Sequence, residues 1–242
     1  KISGKIVALL LTLIIVATSG MPLYAKETGD KANSFRYENG QSIAKAVPFS
    51  TLSPNAWKKI DGKYYSGDGS VIEGAVAKGI DVSHHQGTVD WKKAKEDGVE
   101  FAIIRCGFGM NQTKQDDAQW FNNVKGCEEN NIPYGVYLYS YADTVKKAQS
   151  EAEHVLRLIK GHTLAYPVYY DIEEKAVLNK LTAEQLGKIA ATFVNKVKAE
   201  GYQTGIYSNK SNFETFLTDS QFSQWNKWVA QYNSAACTYK GT

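Results

Sequence analysis

The decapeptide AYPVYYDIEE, residues 165–174, decides how the rest of the chain is read. Val168, Tyr169, Tyr170 and Ile172 favour a pleated backbone, and Pro167 stands near the start, where a missing N–H is tolerated. Side chains two apart on a strand share a face. Tyr169, Asp171 and Glu173 are therefore expected on one side, Tyr170 and Ile172 on the other. Two carboxylates about 7 Å apart on one strand face repel, which is costly unless something uses them. Taken alone, the decapeptide is equally well a solvated strand end whose acids cap the next helix. Its surroundings favour use.

Five further candidate strands flank it, at 79–83, 100–107, 133–141, 203–208 and 227–232, with 166–173 as the fourth of six. Helical patterns lie between them. Residues 89–97 form a short one, and 116–130 carries Trp120, Phe121, Val124 and Cys127 on one expected face. Residues 144–160 present Ala148, Ala152, Val155, Leu156 and Ile159. Residues 182–200 open with a capping-box pair, Thr182 and Gln185, and end at Gly201; 212–217 is a short fifth. Alternation in units of about 30 residues implies an α/β fold with parallel strands and right-handed crossovers, either an open sheet or a barrel. No glycine-rich phosphate loop opens a helix, which weakens a dinucleotide-binding reading.

In a barrel, chemistry belongs at the C-terminal strand ends. Asp81 ends the first strand, and Asp171 and Glu173 end the fourth. Tyr137, Tyr139 and Tyr141 lie along the third, Tyr207 on the fifth, Trp228 and Tyr232 on the sixth. Acids ringed by aromatics point to a glycosidase cleft. Tyr139, Tyr207 and Tyr232 are the expected substrate contacts, and Arg105 is placed to pair with a rim acid. Adjacent His84 and His85 are expected to point opposite ways, which disfavours a shared metal. Ser83 and Ser208 have no partnered His and Asp, so a serine triad has little support.

The balance of 28 Lys and Arg against 25 Asp and Glu, without long single-sign runs, argues against nucleic acid as the main partner. The 15 Tyr and 5 Trp suit a carbohydrate cleft and a barrel core equally. At the start, Lys1 and Lys5 stand before an apolar run, 6–16, and Ala25 follows small and polar residues. Residues 1–25 thus read as a secretory signal peptide, too short in its apolar part to anchor the chain after cleavage. Secretion or cell-wall residence follows as the expected location. Cys106, Cys127 and Cys237 have neither zinc spacing nor an even count, leaving buried thiols as the plain reading and a Cys106–Cys127 bridge as an alternative. Residues 26–77 read as a linker. Within it, 55–76 carries Trp57, Tyr64, Tyr65 and the turn pairs Asp61-Gly62 and Asp68-Gly69, a hairpin pattern that resembles one aromatic wall-binding repeat.

The motifs GIDVSHHQGTVDW (79–91), FAIIRCGFG (101–109), IPYGVYLYSYA (132–142), PVYYDIEE (167–174), GIYSN (205–209) and WVAQY (228–232) resemble, in order, the family 25 glycoside hydrolases. These are the Chalaropsis-type lysozymes, or N-acetylmuramidases. The resemblance covers 78–242. It implies a flattened TIM-like (β/α) barrel with fewer helices than strands, and cleavage of the β-1,4 bond between N-acetylmuramic acid and N-acetylglucosamine in peptidoglycan glycan strands. It implies no metal and no other cofactor, and a monomer. By resemblance Glu173 matches the general acid, Asp171 the carboxylate that steadies developing charge, and Asp81 a third acid that shapes the cleft. Retention with help from the 2-acetamido group is the implied stereochemistry. The family pattern continues past WVAQY with two more strands, so the last strands are expected to be missing from this chain.

Two rivals remain at this point. A chitinase-like or endo-N-acetylglucosaminidase barrel also ends a strand in YxDxE, but the acids preceding that pair are absent here, with Pro167 and Tyr169 in the run. A non-catalytic cell-wall-binding protein is the rival from another class.

Overall fold

The computed structural model describes residues 58–66, 69–231 and 237–241, with the backbone of three two-residue strands further upstream. The expected leader, Trp57, Asp68 and Tyr232 lie outside the described residues. Inside the expected linker, Asn33–Ser34, Tyr37–Glu38 and Gln41–Ser42 form a small antiparallel ladder.

Six parallel strands organise the rest: β1 (Gly79–Val82), β2 (Phe101–Phe108), β3 (Tyr134–Tyr139), β4 (Val168–Asp171), β5 (Thr204–Asn209) and β6 (Asn226–Ala230). They pair in sequence order from β1 to β6. The sheet is strongly curled. Tyr137 on β3 and Trp228 on β6 are three strands apart, about 14 Å if the sheet were flat, yet their rings meet edge-on at 5.7 Å. The result is a half-barrel whose edges are β1 and β6; among the described residues these edges do not pair to close it.

Six helices alternate with the strands: α1 (Trp91–Glu96), α2 (Trp120–Glu129), α3 (Val145–Ile159), α4 (Lys175–Leu178), α5 (Ala183–Ala199) and α6 (Lys210–Thr215). Helices therefore equal the strands of this sheet in number, against the expectation of fewer; the one helix not expected is α4, a single turn capped by Glu174. The apolar stripes of α3 and α5 cover the convex face, where Tyr170 of β4 stacks on Phe193 of α5 at 3.9 Å and 7°. Thr182 and Gln185 close a reciprocal capping box, as their spacing predicts. Trp120, Val124 and Cys127 are buried on α2, but Phe121 is 68% exposed and off the expected face. Cys106 and Cys127 are separate buried thiols and Cys237 is an exposed one.

A hairpin of Lys58–Ile60 and Lys63–Tyr65 turns at Asp61-Gly62, both with positive φ, the backbone that favours this dipeptide. It is tied to the sheet through Glu100, just before β2. That carboxylate accepts from Tyr64 Oη at 2.7 Å and from the Lys78 amide at 2.8 Å, and pairs with Lys59.

Candidate active site

Parallel pairing in register builds the concave face in layers. One layer runs Tyr139, Asp171, Tyr207, Trp228 across β3 to β6, and the layer below it runs Arg105, Tyr137, Tyr169, Gly205, Asn226. Trp228 is the hub, meeting Tyr137, Tyr169 and Tyr207 at 5.7, 5.4 and 4.4 Å. Gly205 is required by this crowding: a Cβ there would lie 2.6 Å from the Tyr169 ring. A cavity of about 320 Å³ opens beneath, lined by Asp81, Phe101, Tyr169 and Trp228 among others.

Strand β4 stops at Asp171, two residues short of the expected end. Ile172 nevertheless stays fixed. Its amide donates to Tyr207 O at 3.0 Å, and its carbonyl accepts from Ser208 Oγ at 2.7 Å. Glu173 follows, outside the ladder but only 2% exposed, like Asp171. Asp171 Oδ1 and Glu173 Oε2 are buried with no hydrogen-bond partner among the described residues. Two inward acids with unengaged oxygens are a costly arrangement, and they are free to engage a ligand.

Electrostatics distinguish the pair. Burial pushes Glu173 well above the usual carboxylate range, and Asp171, Asp81 and Glu174 push it the same way. Burial raises Asp171 too, but the Arg105 guanidinium pulls it back while Asp81 adds to the rise. Of the two, Asp171 is the one that a cation draws toward its charged form. Asp81 stands on the edge strand with its side chain wetted by the cleft. The surrounding walls raise its carboxyl to about 6 by desolvation, an effect that the water reaching it tempers.

Arg105 is anchored by Asp117. Its Nε donates to Asp117 Oδ2 at 2.8 Å, with both side chains almost fully buried. Asp117 also accepts from the His84 amide at 3.0 Å and the Gln119 amide at 2.8 Å. Burial works against the charge of Asp117, but the His84 hydrogen bond, Arg105 and the backbone donors outweigh it and hold the carboxyl below its usual value. His84 and His85 lie in a 3-10 turn, His84–Gln86, with rings 4.0 Å apart, not on the extended chain expected. Among the described residues no group of three or more His, Cys, Asp and Glu is arranged to hold a metal ion.

Of the other expected contacts, Tyr139 and Tyr207 stand in the Asp171 layer, each nearly buried, and Tyr139 Oη donates to Glu174 at 3.3 Å. Tyr232 lies outside the described residues. Asp117 and the hub role of Trp228 escaped the sequence reading. Neither has a local sign: Asp117 is one acid among several around α2, and nothing local distinguishes a hub from any rim aromatic.

Comparison with known proteins agrees with this geometry. The model of the glycosyl hydrolases family 25 matches residues 80–241. An autolytic lysozyme from Clostridium acetobutylicum is 28% identical over 155 residues, covering 64% of this chain and 45% of that protein. The modular autolysin LytC from Streptococcus pneumoniae, solved in complex with a synthetic peptidoglycan ligand, is 32% identical with a TM-score of 0.66, covering 76% of this chain and 45% of that one. A bacterial lysozyme from Streptomyces coelicolor shares the fold at a TM-score of 0.60 and 23% identity, covering 69% of this chain and 79% of that one. The chain thus spans about half the length of the first two.

Proposed function

The chain belongs to the glycosyl hydrolases of family 25, and we propose that it is a muramidase that cleaves the β-1,4 bond between N-acetylmuramic acid and N-acetylglucosamine in peptidoglycan. The observation that carries this reading is the buried pair at the end of β4, Asp171 and Glu173, each with an oxygen that engages no partner among the described residues, and with Arg105 drawing Asp171 toward its charged form. Glu173 gives its proton to the glycosidic oxygen as the bond to the anomeric carbon breaks. The ionised Asp171 steadies the positive charge that develops and orients the 2-acetamido group, whose carbonyl oxygen closes onto the anomeric carbon. Glu173, now a carboxylate, takes a proton from the attacking water, which opens that ring with net retention. Asp81 shapes the cleft from the facing edge. Tyr139, Tyr207 and Trp228 present aromatic faces to sugar rings, and Tyr232 is assigned to the same wall on its sequence position.

The lysozyme and autolysin relatives support action at the cell wall, and the leader-like residues 1–25 support export. No helix among the described residues is long and apolar enough to cross a membrane. The proposed catalytic domain spans 78–242, with residues 26–77 as a wall-facing linker and hairpin.

Digestion of purified peptidoglycan, followed by borohydride reduction and mass spectrometry, tests the reading. Reduced muramic acid ends that disappear with Glu173→Gln are expected. Reduced glucosamine ends would assign a glucosaminidase, and wall binding without new ends would leave a non-catalytic role. An inverted first product by NMR would refute retention.

A further inference from the structure

Behind the acid pair lies an acid for which the chemistry above has no use. Glu151 projects from α3 into the convex core, fully buried. Its stripe neighbours Ala148, Ala152 and Val155 are all apolar, so a leucine would suit packing alone. A carboxylate there faces a steep desolvation cost unless donors surround it. They do. Oε2 accepts from Ser140 Oγ at 2.8 Å and from Tyr170 Oη at 2.5 Å, and Oε1 accepts from the Tyr141 amide at 2.9 Å.

The three donors come from two places only. Ser140 and Tyr141 directly follow Tyr139 at the end of β3, and Tyr170 directly precedes Asp171 at the end of β4. The two ends are also joined to each other, because the Ser140 amide donates to Asp171 O at 2.9 Å. Ser140 Oγ accepts in turn from the Ala142 amide at 3.1 Å, which bends the chain away toward α3. The Tyr170 ring is clamped from the other side by Phe193. One carboxylate therefore fixes the backbone on both sides of the layer that holds Tyr139 and Asp171.

We propose that Glu151 is a positioning residue: through Ser140, Tyr141 and Tyr170 it locks the ends of β3 and β4 so that Asp171 and the segment carrying Glu173 keep their reacting geometry. The substitution that reads this is Glu151→Gln, which preserves size and one acceptor but replaces the other with an NH₂ facing two hydroxyls. The inference rests on the muramidase reading, so the two are tested to fail separately. Val155→Ala, a core truncation on the same helix outside this network, is the control for general destabilisation.

On soluble peptidoglycan fragments, Glu151→Gln is expected to lower kcat about 10- to 100-fold with KM within about twofold, the cost of misplacing groups by a fraction of an ångström to an ångström. Val155→Ala is expected to lower Tm while leaving kcat unchanged. In parallel, amide hydrogen exchange at Ser140, Tyr141 and Ile172 should quicken more than tenfold in Glu151→Gln and stay at wild-type rates in Val155→Ala. Wild-type kcat in folded Glu151→Gln, or an equal kcat loss in both variants, overturns the positioning role. A wild-type chain that releases no sugar ends sinks the muramidase reading instead. Exchange then decides alone, and unchanged protection at those three amides overturns the inference.

Discussion

Removing Arg105 should move the acid limb of the pH–rate profile upward. Arg105 on β2 and Asp171 on β4 are separated by β3, two strand spacings or about 10 Å, and both project onto the concave face. At an effective dielectric of about 20, unit charges that far apart attract by about 1.7 kcal/mol, a little over one pK unit. Asp171 must be ionised to act. Losing the cation raises its pKa, so activity that persists on the acid side in the wild type is lost at a pH about one unit higher. The alkaline limb, set by Glu173 losing its proton, should move less, because burial and the neighbouring carboxylates dominate the rise of Glu173. Arg105→Met alone also strands Asp117, and breaking a buried pair costs about 3–5 kcal/mol. The variant to use is therefore Arg105→Met with Asp117→Asn, which leaves no stranded charge and keeps an acceptor for one of the His84 and Gln119 amides, the two donating to different carboxylate oxygens. Arg105→Lys keeps the cation and loses the planar fork, so its acid limb should stay near wild type while its Tm falls. The assay is kcat/KM from pH 4 to 9 on soluble fragments, with folding checked by circular dichroism. An acid limb that stays in place in the folded double variant refutes the electrostatic division of the acids.

Two further outcomes follow from packing. Gly205→Ala places a Cβ 2.6 Å from the Tyr169 ring and 2.9 Å from the Asn226 carbonyl; it should cost about 1–3 kcal/mol in urea unfolding and reduce turnover by shifting the aromatic wall. Glu100→Ala removes the acceptor that holds Tyr64, Lys59 and the Lys78 amide, so limited proteolysis should cut within residues 61–76 faster while muramidase turnover stays unchanged.

Much of this architecture was legible because it is local. The six strands appear where apolar runs alternate with helical patterns, and the Thr182–Gln185 box is visible as a pair of residue types at a fixed spacing. Strand ends were not legible in the same way. Residue 172 looks as strand-like as 170, but parallel pairing ends where the neighbours stop offering partners, and Ile172 is held by one amide and one hydroxyl from β5 instead of a ladder. Phe121 failed for a related reason. Periodicity places it beside Trp120, but the flank of α2 that another element covers is the opposite one, where Trp91 packs so closely on Gly126 that a Cβ there would overlap its ring. Which flank of a helix is buried depends on what the other elements bring.

The same distinction governs the chemistry. The sequence shows two carboxylates at the end of a strand, and chemically they are near-equivalent. What distinguishes them electrostatically is Arg105, which pulls on Asp171 from two strands away and about 66 residues earlier in the chain. Arg105 is itself held in place by Asp117, an acid that no motif marks. Glu151 acts at one remove further, and it had a sequence sign of its own: a lone acid within the apolar stripe of α3, where burying charge is costly. An acid on the core face of an amphipathic helix next to a strand that ends in acids calls for an account of its donors. Here those donors lead directly back to the strand ends that hold Tyr139 and Asp171.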